Sequence, residues 1–433
     1  MRHAVASTLA LAVLASAAMP SAVMTIRGGA RTVCSLGDVD GDGCADVVLA
    51  EPSSMNGGQT CGYVHVFSGR MGRELYELHG ERSLQYFGTS VCSVPDCDGD
   101  CVRDLAIGAP GPPLVQGEGR DASYVLGSVT IVSGVDGRML YRIEGRDGGD
   151  RFGADVRLAG DLDRDGVLDW IVGAPGARGR RGRALVYSSR TRALLLDIEG
   201  ENVGEYLGAA VSAAGDVNGD GIDDVLVGGP GWMRSCARVF SGQDGCEILG
   251  LPRSSELGGA GCCFGSSVAC AGDIDDDGCA DVVIGAEGHD SSGWVFVFSG
   301  RTGDSIGGTS GTRTWPWGSF GSALDVVPDV DGDGALDWLV GDPAEYVDGE
   351  SRGQSTGSFF VISGRTQQVL FHVVGDRSFQ RLGFAVAGAG DVDGDGIDDF
   401  LVSDDPILGG GPFGPTLYVY SGADGRLLRR IKP

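Results

Sequence analysis

Phe152-Gly-Ala-Asp-Val156, Asp161-Leu-Asp-Arg-Asp-Gly-Val-Leu-Asp169, Trp170-Ile-Val-Gly-Ala-Pro175, Ala184-Leu-Val-Tyr-Ser188 and Leu194-Leu-Leu-Asp-Ile-Glu-Gly200 follow one another along the chain. They amount to four short apolar runs of strand length, broken by Gly, Pro and Asp. The aspartate-rich nonapeptide between the first two runs occurs seven times, beginning at Asp38, Asp96, Asp161, Asp216, Asp273, Asp329 and Asp391. The intervals are 58, 65, 55, 57, 56 and 62 residues. A repeat of that length is one supersecondary unit that cannot bury its own apolar face, so neighbours must stack.

Four antiparallel strands per repeat, taken seven times, is the formula of a β-propeller. The expected fold is all-β: a seven-bladed propeller of four-stranded antiparallel blades, with a metal-binding loop between strands 1 and 2 of each blade. Blades are expected near residues 29–80, 86–145, 151–200, 206–250, 263–307, 319–375 and 382–433. An open solenoid is the competing architecture, but these repeats are too long for single coils. The third and fourth runs are joined by compact turns such as Ser133-Gly-Val-Asp-Gly137 and Ser421-Gly-Ala-Asp-Gly425, whose Gly and Asp suit positive φ.

In the pattern Asp-x-Asp-x-Asp-Gly-x-x-Asp, carboxylates at positions 1, 3, 5 and 9 converge on one ion. The carbonyl at position 7 adds an oxygen, and glycine at position 6 permits the bend. Hard oxygen donors in a flexible loop suit Ca²⁺ better than Mg²⁺. The candidate ligands are Asp38, Asp40, Asp42 and Asp46; Asp161, Asp163, Asp165 and Asp169; and Asp216, Asn218, Asp220 and Asp224. Three later loops offer Asp273, Asp275, Asp277 and Asp281; Asp329, Asp331, Asp333 and Asp337; and Asp391, Asp393, Asp395 and Asp399. The second loop keeps Asp96, Asp98, Asp100 and Asp104 but has Cys101 where glycine belongs, so weak binding or a disulfide is expected there. These are not EF-hands, because position 12 is Leu49, Val172 or Val340 rather than a bidentate Glu. Up to seven structural Ca²⁺ ions are expected, since acidic turns without metal would crowd four carboxylates with nothing to neutralise them.

A Phe-Gly element precedes the loop at Phe87-Gly88, Phe152-Gly153, Phe264-Gly265 and Phe320-Gly321, with Leu207-Gly208 and Leu382-Gly383 as variants. A Gly-Ala-Pro element follows it at Gly108-Ala109-Pro110 and Gly173-Ala174-Pro175, degenerating to Gly228-Gly229-Pro230, Gly285-Ala286-Glu287 and Gly341-Asp342-Pro343. In this combination the chain resembles the FG-GAP repeats of the integrin α-subunit amino-terminal propeller. The resemblance implies protein–protein or cell-surface recognition on the face opposite the calcium loops. It also implies ring closure by an amino-terminal strand lent to the last blade. Here Gly28-Gly29-Ala30-Arg31 stands where Phe-Gly would precede Asp38, and Leu427 to Ile431 completes the last blade from the carboxyl end.

Residues 1–17 read as a secretory signal: basic Arg2 and His3, an apolar stretch from Ala4 to Ala18, and a small-x-small cleavage site at Ala15-Ser16-Ala17. The stretch is short for a membrane anchor. The expected product, residues 18–433, is secreted, extracellular or periplasmic, with no transmembrane segment, stalk or integrin-type leg domains. Twelve cysteines fit an oxidising compartment. Cys34 with Cys44, Cys92 with Cys101, and Cys270 with Cys279 could staple hairpins; buried free thiols are the alternative. No CxxC exists and the five histidines are scattered, which gives zinc little support. The net charge of −27 comes largely from the seven loops, which hold 30 of the 60 acidic residues, so nucleic acid is not an expected partner.

Nothing resolves into a catalytic constellation. Gly353-Gln-Ser355-Thr-Gly357 matches GxSxG but lies in a loop before strand-like Phe359-Phe360-Val361. His65, His79, His289 and His372 lie in different repeats with no shared pattern. Trp170 and Trp338 are expected to pack in blade cores. Recognition is looked for in the loops Gly111 to Gly127 and Ala344 to Gly357, in Trp315-Pro316-Trp317, and in Gly176 to Arg183. That last loop's four arginines could grip an anion or simply be solvated. The expected function is therefore a non-catalytic binding or adhesion module for an extracellular protein or glycan. The alternatives are a propeller lectin or a propeller hydrolase or lyase.

Overall fold

The computed structural model describes residues 32–56, 59–112, 125–231, 235–252, 263–311, 318–345, 355–405 and 416–433. The proposed signal, Trp315 and Trp317 lie outside them, as do Cys262 and most of the two long loops. Within them are seven four-stranded antiparallel sheets, each built from consecutive strands of one stretch of chain. The innermost strands are Thr32–Gly37, Ser90–Val94, Val156–Gly160, Ala210–Gly215, Phe264–Gly272, Ala323–Val327 and Val386–Gly390. They adjoin in that order around an axis, and the seventh adjoins the first.

The burial pattern follows from this stacking. The second and third strands are sandwiched between neighbouring blades, so Asp169–Gly173 and Ser128–Val132 are buried throughout. The outermost strand meets solvent on one side, and Leu194–Glu199 alternates between buried and exposed. Apolar clusters lie between blades, as where Ile171 and Val186 of the third blade meet Val225 and Phe240 of the fourth. Trp170 and Trp338 are core residues, and Trp170 stacks on Tyr187 at 4.9 Å between ring centres.

The Phe-Gly and Gly-Ala-Pro elements interlock successive blades. Phe87, Phe152, Phe264 and Phe320, with Leu207 and Leu382, are buried plugs between blades. Gly153 beside its Phe takes φ +91°, and its carbonyl occupies the place a Cβ on Gly108 of the previous blade would need. Gly173 stands in the same relation to Gly208, and Gly341 to Gly383.

The last blade takes all four described strands from its own stretch, with Leu427–Ile431 pairing to Leu417–Tyr420 as the outermost. Among the described residues, the seam between last and first blades is held by side-chain packing and a few hydrogen bonds. Val33, Leu49 and Phe67 pack against Ala387, Leu417 and Ile431. The Ser35 hydroxyl donates to the Ala389 carbonyl at 2.7 Å, and the Ala45 N–H to that of Asp391 at 3.3 Å.

Candidate metal centre

Each aspartate-rich loop joins the first and second strands of its blade, so all seven lie on one face of the ring. Five loops are entered through a bulge at a left-handed glycine, for example Gly37 at φ +80° and Gly160 at +95°. The second and sixth are entered through Pro95 and Pro328 with no register shift.

One bonding scheme runs through every loop. The position-1 carboxylate accepts the backbone N–H of position 6 at 2.8–2.9 Å. Position 3 accepts from position 5 at 2.9–3.2 Å, with Asn218 serving as well as an aspartate. Position 5 accepts from position 7 at 2.8–3.0 Å. Short polar side chains bonding their own backbone a few residues on is how Asx turns are built.

Position 9 does different work. Asp46, Asp104, Asp169, Asp224, Asp281, Asp337 and Asp399 are fully buried. One oxygen of each accepts the position-2 N–H at 2.7–2.9 Å. The other accepts an N–H from the turn joining the third and fourth strands, at 2.9–3.2 Å. This residue thus ties both hairpins of its blade together. Burial pushes the carboxyl up to about 6 in six loops, and upward in Asp281 too, despite those N–H donors. At position 1 of the sixth loop the balance is opposite: the Gly334 N–H, with those of Gly332 and Asp333, holds Asp329 below the ordinary range.

The donor set is all oxygen. In the first loop Asp38, Asp40 and Asp42 present carboxylate oxygens within 4.8 Å of one another; Asp96, Asp98 and Asp104, Asp161, Asp163 and Asp169, and Asp273, Asp275 and Asp281 do the same. A carboxylate has about four lone-pair sites, so even Asp38, which accepts three N–H bonds, keeps one for a cation, and these residues fit a hard divalent ion. Arginines lean on several loops from outside, Arg138 on Asp98 at 2.6 Å and Arg426 on Asp393 at 3.3 Å.

The second loop keeps its bend, with Cys101 at φ +69° where the other loops have glycine at +80° to +89°. Position 4 is a left-handed site the sequence reading passed over: glycine in five loops, Arg164 at +59° and Asp276 at +60° in the others.

The described cysteines are free thiols. Cys34 lies beside Cys92, Arg157 and Asp325, whereas Cys44 sits among Asp42, Arg70 and Asp391. Cys92 borders Arg157, Asp155 and the Leu158 N–H, with its thiol raised to about 11 by burial, while Cys101 is exposed in its loop. Near this axial group, Thr32, Asp155, Arg157, Ser266, Ser322 and Phe384 help line a cavity of about 200 Å³. Asp155 bridges blades there, accepting from Ser90 at 3.2 Å and from the Val211 N–H at 2.9 Å.

At the opposite end of the second strands, the middle position of the Gly-Ala-Pro element is acidic in three consecutive blades: Asp342, Asp404 and Glu51. All three are buried. Burial, then the neighbouring Glu345, pushes Asp342 up to about 7. His372 Nε2 lies 2.9 Å from Glu345 Oε2, and its ring stacks on Phe360 at 4.1 Å. Asp404, raised to about 6 by burial, accepts from Tyr418 at 2.8 Å and from the Thr416 N–H at 2.7 Å. These acids were legible as departures from the repeat but were not singled out as a group.

The arginine loop does not present four free guanidinia. Arg183 lies buried in a strand and is paired with Asp197, Nε to Oδ1 at 3.0 Å, while Arg178 meets Glu199 at 3.1 Å. Ser355 to Gly357 of the GxSxG string lead into strand Ser358–Ile362, not a helix. No helix among the described residues is long and apolar enough to cross a membrane.

The FG-GAP repeat family model matches residues 30–67 and 207–245. The chain is 32% identical to integrin alpha-5 of Xenopus laevis over 211 residues, covering 44% of this chain and 20% of that protein. It is 37% identical to integrin alpha-4 of Xenopus laevis over 201 residues, covering 42% and 19%. The chain thus spans about a fifth of the length of these relatives. Among solved structures, BBS1N in complex with ARL6DN matches over 95% of this chain and 94% of that one, with 12% identity and a TM-score of 0.53, a likeness of fold. The rhamnogalacturonan lyase YesW matches at a TM-score of 0.45 and 16% identity over 93% of this chain and 72% of that one.

Proposed function

We propose that this integrin-α-like FG-GAP propeller is an exported, non-catalytic binding module for an extracellular protein or glycan, held rigid by up to seven Ca²⁺ ions. The observation that carries the calcium reading is the sevenfold repetition of one carboxylate arrangement with one bonding scheme. Positions 1, 3, 5 and 9 would hold the ion, which supplies the positive charge that the buried position-9 carboxylates lack. The backbone N–H donors preset the loops, and position 9 passes their rigidity to the outer hairpin. Structural calcium adds its binding free energy to folding.

The recognition reading is supported by likeness to integrin α chains and by the division of the ring into two faces. Loops on one face are tied down by their own carboxylates. The other carries the longer connections and the acidic groups around Glu51, Asp342 and Asp404. A rigid scaffold presenting variable loops is a common arrangement for binding.

The test is thermal unfolding with Ca²⁺ and with excess EGTA, alongside calorimetric calcium titration and a glycan and extracellular-protein screen. Six or seven ions with a large rise in melting temperature are expected. No binding and no shift would overturn the metal reading. Turnover of a polysaccharide in a hydrolase and lyase panel would overturn the non-catalytic one.

A further inference from the structure

On one face of the first blade, His65 of the third strand stands directly across from Glu77 of the outermost strand. Glu51 of the second strand is its diagonal neighbour, since Leu49 pairs with His65 and Glu51 with Tyr63. His65 Nδ1 lies 2.8 Å from Glu74 Oε1 and 3.7 Å from Glu77 Oε2. One donor atom from each of the three lies within 4.8 Å of the other two. The imidazole is fully buried, whereas the Glu74 and Glu77 side chains keep 21% and 39% of their surface. The group therefore opens to solvent through its carboxylates.

Two atoms beside this group have no partner. His65 Nε2 and Glu51 Oε1 are both buried without a hydrogen bond, in residues with no exposed surface. The other Glu51 oxygen accepts from the Ser54 hydroxyl. Glu51 also lies within electrostatic reach of His65 and Glu77. With Nδ1–H donating to Glu74, Nε2 is a buried bare lone pair, and the free Glu51 oxygen is a second buried acceptor out of hydrogen-bond reach of the ring. Each buried, unpaired polar atom has given up its hydration with nothing in return. A metal ion on Nδ1 would be shared with the two carboxylates that face that nitrogen, and the neutral ring would then carry its proton on Nε2.

We infer that His65 Nδ1, Glu74 and Glu77 form a transition-metal site of the zinc class. An imidazole among carboxylates suits Zn²⁺ rather than Ca²⁺ or Mg²⁺. Three protein ligands and an open side leave a position for water. The site is separate from the aspartate loops in donor type and in place, since Asp46 begins the strand that Glu51 ends. It lies on the face whose Val47, Leu49 and Phe67 pack against the last blade, so a bound ion would cross-link the outer strands at the ring's seam.

The test uses the full chain, stripped of metal, kept reduced and saturated with Ca²⁺ so that the aspartate loops are occupied. Zn²⁺ is titrated by calorimetry and Co²⁺ by visible absorption, which separates nitrogen and oxygen ligands from thiolates. One Zn²⁺ equivalent is expected over the Ca²⁺ background, without thiolate charge transfer. Glu77→Gln should weaken it at least tenfold, and His65→Gln should abolish it. Glu77 is exposed, so its variant should fold with an unchanged zinc-free melting temperature and decides the matter if His65→Gln does not fold. The inference is overturned by no zinc binding in Ca²⁺, by binding that Glu77→Gln and Glu74→Gln leave unchanged, or by a thiolate cobalt spectrum.

Discussion

The carbonyl of Gly153 in the third blade lies where a β-carbon on Gly108 of the second would have to be. Both glycines belong to the repeat, one from Phe-Gly and one from Gly-Ala-Pro, so two motif elements far apart in sequence are one contact in space. Gly108→Ala should therefore destabilise the ring by about 3 kcal/mol through overpacking against backbone. Gly166→Ala is the contrast: φ is +85° with open space around it, so the cost is the left-handed conformation alone, about 1 kcal/mol. Urea unfolding in Ca²⁺ measures both.

Asp163 and Asp169 belong to one loop but differ in burial, the first exposed and the second fully buried. Asp163→Asn should lower stability only in Ca²⁺, because an asparagine makes the same backbone contact at Asn218. Asp169→Asn should lower it in EGTA as well, by about 2 kcal/mol, since an amide N–H would face the Leu162 or Ser189 N–H. Paired melts with and without EGTA separate the metal role from the structural one.

Cys101 holds a left-handed conformation that glycine adopts freely. Cys101→Gly should raise stability by about 0.5–1 kcal/mol, the relieved strain less glycine's greater unfolded entropy. Tighter calcium binding at the second loop should accompany it, read as an added high-affinity equivalent in calorimetry.

Asp342 has a carboxyl near 3.8 in the unfolded chain and near 7 when folded. Between those values the folded state binds more protons, so stability from this group is full below about 4 and falls as pH rises to about 7. Asp342→Asn should remove that slope, which is at most about 1.4 kcal/mol per pH unit. Unfolding at pH 5 and pH 8 in saturating Ca²⁺ checks it; equal slopes for variant and parent would refute it.

How much was legible follows from how local each feature is. The contacts within each aspartate loop are two to seven residues apart, so spacing alone displayed them. The blade grammar was equally plain, because each sheet is drawn from one stretch of chain. The cysteine pairs did not follow from proximity in sequence: Cys34 lies within electrostatic reach of Cys92 of the next blade, whereas Cys44 sits among Asp42, Arg70 and Asp391. The His65 group was invisible for a similar reason. Its members come from two strands, and only the strand register brings Glu77 opposite the imidazole. Ala50-Glu51-Pro52 did carry a signal, a carboxylate where the repeat prefers alanine.

Because every described blade is assembled from its own stretch of chain, nearly all pairing is local and each unit can form early. Contacts between ordinary neighbours bridge modest distances, as with Ser90 and Val156, 66 residues apart. Ser35 and Ala389 are 354 apart. Loop-closure entropy grows by about 0.6 kcal/mol per doubling, so bringing that last pair together costs only about 1.5 kcal/mol more. Circularisation is thus a late, inexpensive step, and the junction of first and last blades is where a weakened ring would open with its blades still folded.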